Sequence, residues 1–141
     1  MNKCQVVELF DGRGTLLMIL RSNHGRNLCA HALSNDGVVT WTTPADAEGR
    51  MAPVCPASFI RHEPRRLVFS NPAAKTRVNQ TVRLSHDDAR TWRELTALHP
   101  GPSAYSSLVS LDAKTVGCLY ETGAKKPYAR ITFARFALNP P

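Results

Sequence analysis

The sequence SNDGVVTW at residues 34–41 recurs as SHDDARTW at residues 85–92, with Ser, Asp, Thr and Trp at matching positions. In turns of this kind the Ser and Asp side chains hydrogen-bond the local backbone, while the Trp folds back into a core. The two copies are about 50 residues apart, which is the spacing of four-stranded β-propeller blades. We therefore interpret the repeat as a structural signal of a propeller and expect little contact between it and a substrate.

Short β-type runs surround the repeat and alternate with turn signals such as Asp11-Gly12, Asn71-Pro72 and Pro100-Gly101-Pro102. No segment sustains the apolar spacing of a helix. The sequence therefore predicts an all-β chain of antiparallel hairpins that forms one domain, or a piece of one, over residues 1–141. The predicted strands cover residues 5–10, 15–21, 28–34, 57–61, 66–70, 80–85, 107–111, 115–121 and 130–138.

The chain has 141 residues and a formal net charge of +7, with arginine as the main basic residue. Such a surplus of positive charge suits nucleic acid, an anionic surface or an anionic small substrate. No long block of like charges occurs, and the densest basic cluster is RHEPRR at residues 61–66. This pattern favours a solvated face over a nucleic-acid interface.

Four cysteines, Cys4, Cys29, Cys55 and Cys118, are scattered without the close spacing of a zinc site or a clear disulfide framework. We predict that all four are buried free thiols in strand-like runs. No apolar stretch is long enough to span a membrane, and the first residues lack the apolar region of a signal peptide. The cellular compartment is left open.

Tyr105 lies in the run HPGPSAYSSL at residues 99–108, and Glu121 follows in LYE at residues 119–121. We predict that the Pro/Gly-rich turn holds Tyr105 at the mouth of a strand, with the Glu121 carboxylate one hairpin further on. Taken alone, such a tyrosine is more often a packing residue. A phenol with a pKa of about 10 is a poor nucleophile at neutral pH, so few enzyme classes use tyrosine in this way. If Tyr105 is a nucleophile, the reaction belongs to one of those few classes.

Four stretches together resemble a known family. They are CQVVELFDG at 4–12 running on to Arg21, VFSNP at 68–72 running on to Arg77, residues 92–108, and LYETG at 119–123. In this order and spacing they are similar to the C-terminal half of the exo-α-sialidases (neuraminidases) of lysosomal type, and the repeated turns resemble the Asp-box. The resemblance implies an all-β partial β-propeller, about half of a six-bladed ring, with residues 1–141 as its C-terminal blades.

The resemblance also implies a reaction, which is the retaining removal of terminal α-linked sialic acid from glycoconjugates without a metal or organic cofactor. Tyr105 would be the nucleophile, since the carboxylate of sialic acid would repel a carboxylate nucleophile. Arg21 and Arg77 would be two of three arginines that bind that carboxylate, because a guanidinium matches it with two hydrogen bonds. Glu121 would hold the first arginine of the three in place.

Two departures from the family make us expect weak or no turnover from the chain alone. The family has a glutamate that accepts the tyrosine proton where this chain has Lys3, and a charged ammonium cannot accept a proton. Glu8 is a poor substitute, because it lies about 16 Å further along an extended strand and on the opposite face. The first arginine and the aspartate acid/base belong to the family's N-terminal blades, which this sequence does not include.

Three alternatives therefore stay open. The chain could be a non-catalytic carbohydrate-binding or scaffold remnant in which Arg21 and Arg77 still hold anionic sugars. It could instead be a half-protein that needs a separately encoded N-terminal half to complete its site. The weakest alternative is a basic nucleic-acid-binding module, which would bind with a steep salt dependence.

Overall fold

The computed structural model describes residues 2–63 and 65–138, and within these ranges the chain is all-β with no helix. Accordingly, no described helix could span a membrane. All strand pairs in the described ranges are antiparallel. The ten strands are β1 (Asn2–Glu8), β2 (Leu16–Arg21), β3 (Leu28–Ser34), β4 (Ala45–Met51), β5 (Ser58–His62), β6 (Arg66–Pro72), β7 (Val78–Ser85), β8 (Arg93–Asp112), β9 (Thr115–Thr122) and β10 (Arg130–Ala137).

These strands form three blades. The first blade is a four-stranded sheet in the order β1-β2-β3-β4, and the other strands form a six-stranded sheet in the order β10-β9-β8-β7-β6-β5. Strand β8 is 20 residues long and belongs to two blades, because its first half pairs with β7 and its second half with β9. The second blade is therefore β5, β6, β7 and the first half of β8, and the third is the second half of β8 with β9 and β10. The predicted partial propeller is confirmed.

Two hydrophobic cores hold the blades together, one on each side of the second blade. Phe69 on β6 points towards the first blade, where it packs with Leu17 and Ile19 of β2. Its neighbour Val68 points the other way and packs with Val116 of the third blade. Successive side chains of a strand face opposite sides of the sheet, so strands that are covered on both faces are apolar at almost every position.

The repeated turns have the same hydrogen bonds in both copies. In each, the serine hydroxyl donates to the aspartate, and the threonine donates to the same carboxylate through both its amide and its hydroxyl group. The donor–acceptor distances are 2.5–2.9 Å for Ser34, Asp36 and Thr40 in the first copy and for Ser85, Asp87 and Thr91 in the second. These local bonds explain why Ser, Asp and Thr recur at the same spacing in both copies.

The tryptophans of the two turns differ in their packing. The ring of Trp92 lies 6.0 Å from that of Phe59 and 5.7 Å from that of Phe69, so it joins the core between the first two blades. Trp41 is only partly buried and is in neither core cluster of the described residues. The prediction that the tryptophan folds back into a core is confirmed for Trp92 and wrong for Trp41.

Strand β4 and the first half of β8 were not predicted. The sequence ADAEGRM of β4 has little β-branched or aromatic character, and it becomes a strand because it pairs with β3. The predicted turn at Pro100-Gly101-Pro102 is also wrong, because these residues lie within β8. They lie where β8 changes partner from β7 to β9. Proline has no N–H to donate to a ladder, and it is tolerated here because the ladder is interrupted at this point.

The cysteine prediction holds in part. Cys29, Cys55 and Cys118 are buried free thiols, whereas Cys4 is exposed on β1. Cys4 and Val7 lie at an odd spacing along the strand, so they point to opposite faces, and Val7 is the one in the core. Cys55 is buried in the loop between β4 and β5, not in a strand as predicted.

Candidate active site

Tyr105 lies in an irregular part of β8. The register of β8 against β9 shifts between Ser103 and Ser106, which takes Tyr105 out of the regular ladder. Its backbone N–H donates instead to the Glu121 carboxylate at 3.2 Å. Glu121, which was predicted to orient an arginine, therefore supports the backbone that carries Tyr105.

The partner change in β8 also brings Arg77 to Tyr105. The N–H of Ser103 donates to the backbone carbonyl of Arg77 at 2.8 Å, and the guanidinium carbon of Arg77 lies 5.3 Å from the centre of the Tyr105 ring. The Arg77 guanidinium also donates to the hydroxyl of Tyr128 at 2.5 Å and to the carbonyl of Val54 at 2.9 Å. These contacts hold the guanidinium between two tyrosine rings.

Lys3 meets Tyr105 from β1. Its ammonium nitrogen donates to the Tyr105 hydroxyl at 3.5 Å and lies 4.6 Å from the ring centre. The backbone φ of Lys3 is 58°, and the register against β2 shifts at this point, between Asn2 and Cys4. Glu8, at the other end of β1, forms an ion pair with Arg61 at 3.4 Å. The side chain that β1 presents to the phenol is thus a cation.

Arg21 shares a cavity with Lys3 and Tyr105. The cavity has a volume of about 250 Å³, and Pro56 and Ala57 contribute an apolar part of its wall. The Nε atom of Arg21 is buried and has no hydrogen-bond partner in the described structure. A buried guanidinium donor without an acceptor is costly, so the position is suited to an anionic ligand.

The charges around Tyr105 act on its pKa. Partial burial raises this pKa, but the hydrogen bonds and positive charges of Lys3 and Arg77 outweigh that effect and leave it below its usual value. For Arg77, burial lowers the pKa, and the nearby Cys55, Tyr105 and Tyr128 more than compensate, so its pKa is raised. The guanidinium therefore stays charged.

Two residues at this site were not predicted from the sequence. Tyr128, in the connection between β9 and β10, belongs to no motif and gave no signal. Cys55 is close enough to Arg77, Glu121 and Arg21 for their charges to act on its thiol, whose pKa burial raises to about 11. The only sequence signal for Cys55 is its place between two prolines, which marks a loop.

Comparison with known proteins agrees with this architecture. The family profile of the BNR repeat-like domain matches residues 1–118, and the chain belongs to this family. The relatives that it matches include sialidases. It is 33% identical to the Micromonospora viridifaciens sialidase over 95% of this chain, and 37% identical to human Sialidase-4 over 54% of it. The predicted sialidase-family membership is therefore confirmed.

A solved structure supports the fold. The intramolecular trans-sialidase of Ruminococcus gnavus, in complex with oseltamivir carboxylate, superposes on 96% of this chain with a TM-score of 0.74 at 21% identity. The chain spans only part of these proteins. It covers 22% of the Micromonospora sialidase, 17% of human Sialidase-4 and 32% of the Ruminococcus chain.

Proposed function

We propose that the site around Tyr105 is part of the active site of an exo-α-sialidase, a retaining hydrolase that removes terminal α-linked sialic acid from glycoconjugates. The observation that carries this proposal is the position of the Tyr105 phenol, which lies between Lys3 and Arg77 and in one cavity with Arg21. A carboxylate-bearing sugar suits this surplus of cations.

Each residue has a role in the proposed reaction. Arg21 and Arg77 bind the substrate carboxylate, and the unpartnered Nε–H of Arg21 supplies one of the donors. The Tyr105 oxygen bonds to the anomeric carbon while the bond from that carbon to the aglycone oxygen breaks, and water then displaces Tyr105 to release the sugar. The lowered pKa of the phenol favours the nucleophilic phenolate. Glu121 acts on Tyr105 through the backbone and is a positioning residue.

Turnover by the chain alone is expected to be weak or absent. The phenol must lose its proton as it attacks, and the charged ammonium of Lys3 cannot take it. A further arginine and an aspartate acid/base would come from additional blades, either in a longer protein or in a separate N-terminal half. In support, the third blade has an apolar face open to solvent, formed by Val109, Leu111, Leu119, Ile131 and Phe133.

A non-catalytic function is the second candidate. Lys3 adds a third cation to the two arginines at the place where the family's general base is expected, which favours binding of an anionic sugar over proton transfer. In that case the chain would be a sialic-acid-binding remnant.

The hydrolase is tested with a fluorogenic α-sialoside. The chain is assayed alone, with a supplied N-terminal half, and as the variant Lys3→Glu in both settings. We expect the glutamate to increase hydrolysis, because it can accept the phenol proton. An absence of hydrolysis in every arm, from soluble protein with a β-type circular dichroism spectrum, would exclude the hydrolase.

Binding is measured separately by calorimetry with sialic acid. Arg77→Ala and Arg21→Ala are each expected to weaken binding about tenfold or more, because each change removes at least one charge-assisted hydrogen bond to the sialic acid. The control Arg13→Ala removes an exposed arginine in the loop after β1 and should leave binding unchanged. Binding that needs Arg77 without any hydrolysis favours the non-catalytic function.

A further inference from the structure

A second and larger cavity lies between the first blade and the second repeated turn. We call it the inter-blade cleft. Its volume is about 580 Å³, and its wall combines Leu17 and Leu33 with His31, Glu48, Arg50 and the turn residue Arg90. None of these residues takes part in the site around Tyr105.

Arg50, on β4, is the unusual residue of the inter-blade cleft. It is only 6% exposed, and its guanidinium carbon lies 5.6 Å from the centre of the Trp92 ring. Its Nε atom is buried without a hydrogen-bond partner, and among residues 2–63 and 65–138 no carboxylate forms an ion pair with it. A buried guanidinium without an anion is costly, so the fold leaves an unsatisfied cation facing a cavity.

The surroundings of Arg50 do not neutralise this charge. Burial lowers the pKa of Arg50, and the positive charge of Arg83 lowers it further. The neighbouring thiol of Cys29 remains neutral at physiological pH, because burial raises its pKa to about 11. Within residues 2–63 and 65–138, carboxylates line the cleft, but none of them forms an ion pair with Arg50.

His31 adds a second unsatisfied polar atom. Its Nδ1 atom is buried and has no hydrogen-bond partner in the described part of the chain. Burial and the charge of Arg50 lower its pKa, so the ring is neutral at pH 7 and can donate one hydrogen bond. His31 and Arg50 both line the inter-blade cleft, and they are close enough for the charge of Arg50 to act on the His31 ring.

Several carboxylates of the inter-blade cleft already have partners. Asp46 is paired with Arg26 at 2.6 Å, and Asp88 accepts the backbone N–H of Phe10 at 2.7 Å. Asp11 accepts the N–H of Arg13 at 2.9 Å. Among the residues that the structure describes, His, Cys, Asp and Glu side chains form no group that could hold a metal ion. The unsatisfied donors therefore indicate an anionic ligand.

We propose that the inter-blade cleft binds a small organic oxyanion, a carboxylate or a phosphate ester, whose oxygens accept hydrogen bonds from Arg50 and His31. The apolar surface of Leu17 and Leu33 faces the remainder of the ligand. This site is separate from the one around Tyr105, so its test does not depend on sialidase activity.

The probes are glucuronate for a sugar carboxylate, glycerol 3-phosphate for a phosphate ester and glucose as the neutral control. Binding is followed by calorimetry at low salt and by tryptophan fluorescence, since Trp92 contacts Arg50. We expect at least one of the two anions to bind and glucose not to bind, and the stronger anion identifies the ligand class. No binding of either anion to the folded chain overturns the proposal.

Variants locate the site. The site around Tyr105 also takes a sugar carboxylate in the proposed function, so these variants are made in an Arg77→Ala background. There Arg50→Gln should weaken anion binding about tenfold or more, whereas Arg130→Gln, an exposed arginine on β10 outside the cleft, should leave it unchanged. Glu48→Gln removes an exposed carboxylate from the cleft and should tighten binding roughly two- to fivefold, with Glu63→Gln as the matched control outside it. The Glu48 variant keeps the test valid even if Arg50→Gln does not fold. Binding that is unchanged in Arg50→Gln, or unchanged in Glu48→Gln, contradicts the proposal.

Discussion

At the scale of single residues, Tyr105 is distinguished by the cations that contact it. Lys3 donates to its hydroxyl group, and Arg77 lies 5.3 Å from its ring centre. Both stabilise the phenolate, which is why the pKa falls although partial burial acts in the opposite direction. Tyr120, on the neighbouring strand β9, has a raised pKa because it is buried. Tyr105 should therefore lose its proton before Tyr120 does as the pH rises.

The change Lys3→Met should move the titration of Tyr105 to higher pH. Removing the ammonium destabilises the phenolate and so raises the pKa. The measurement is ultraviolet absorbance of the phenolate against pH, with Tyr105→Phe used to assign the transition. Lys114→Met, in an exposed turn, is the control, and an unshifted midpoint in Lys3→Met would show that Lys3 does not act on Tyr105.

Val38 is a second residue whose backbone permits a prediction. Its φ is 75°, in the left-handed region where a β-branched residue is strained by about 1–3 kcal/mol. Val38→Gly should raise the free energy of unfolding by about 1 kcal/mol, because the relieved strain exceeds the extra entropy of glycine in the unfolded chain. The value comes from chemical denaturation. The neighbouring Val39→Gly should lower stability, and equal effects of the two changes would argue against strain at Val38.

At the scale of elements, the local features were the predictable ones. The two repeated turns could be recognised because their hydrogen bonds join side chains and backbone within eight residues. Strand β4 could not, because its partner β3 and not its own composition makes it a strand. The same holds for Pro100-Gly101-Pro102. Its composition is typical of a turn, and only the change of partner within β8 explains why it lies in a strand.

The unequal packing of the two turns predicts unequal effects of the same substitution. Trp92→Ala should lower the free energy of unfolding by about 3 kcal/mol, because Trp92 packs with Phe59 and Phe69 between two blades. Trp41→Ala should cost clearly less, since Trp41 lies outside both cores. Denaturant titration of both variants checks this. Similar losses would mean that the two turns contribute equally to the packing of the blades.

At the scale of the whole molecule, residues far apart in sequence meet at one site. The family resemblance gave Arg21, Arg77 and Tyr105 as partners, and the fold brings Arg77 to the ring of Tyr105 and Arg21 into its cavity. Tyr128 could not be predicted, because its contact with Arg77 depends on how the third blade lies against the second. Arg50 was missed for a similar reason, since its burial depends on packing between the first two blades.

The open face of the third blade predicts the behaviour of the isolated chain. Ile131 is 73% exposed and Phe133 is 53% exposed on this face. Ile131→Lys should reduce the binding of a hydrophobic dye and slow aggregation, with little change in stability. Val39→Lys, which changes an exposed valine elsewhere, is the control. If dye binding and aggregation are the same in both variants, the open face of the third blade is not the surface through which the chains aggregate.

Strand β8 also determines where the chain can be divided. The second and third blades share the strand β8 and have no linker between them. A cut at their boundary would therefore fall inside that strand, between Pro102 and Ser103. It would place Arg77 and Tyr105 on different fragments and break the covalent continuity beside the Ser103–Arg77 hydrogen bond. A protein engineer who wants two complementing fragments should therefore cut between the first and second blades, in the loop between Met51 and Ser58, and treat residues 58–138 as one indivisible module.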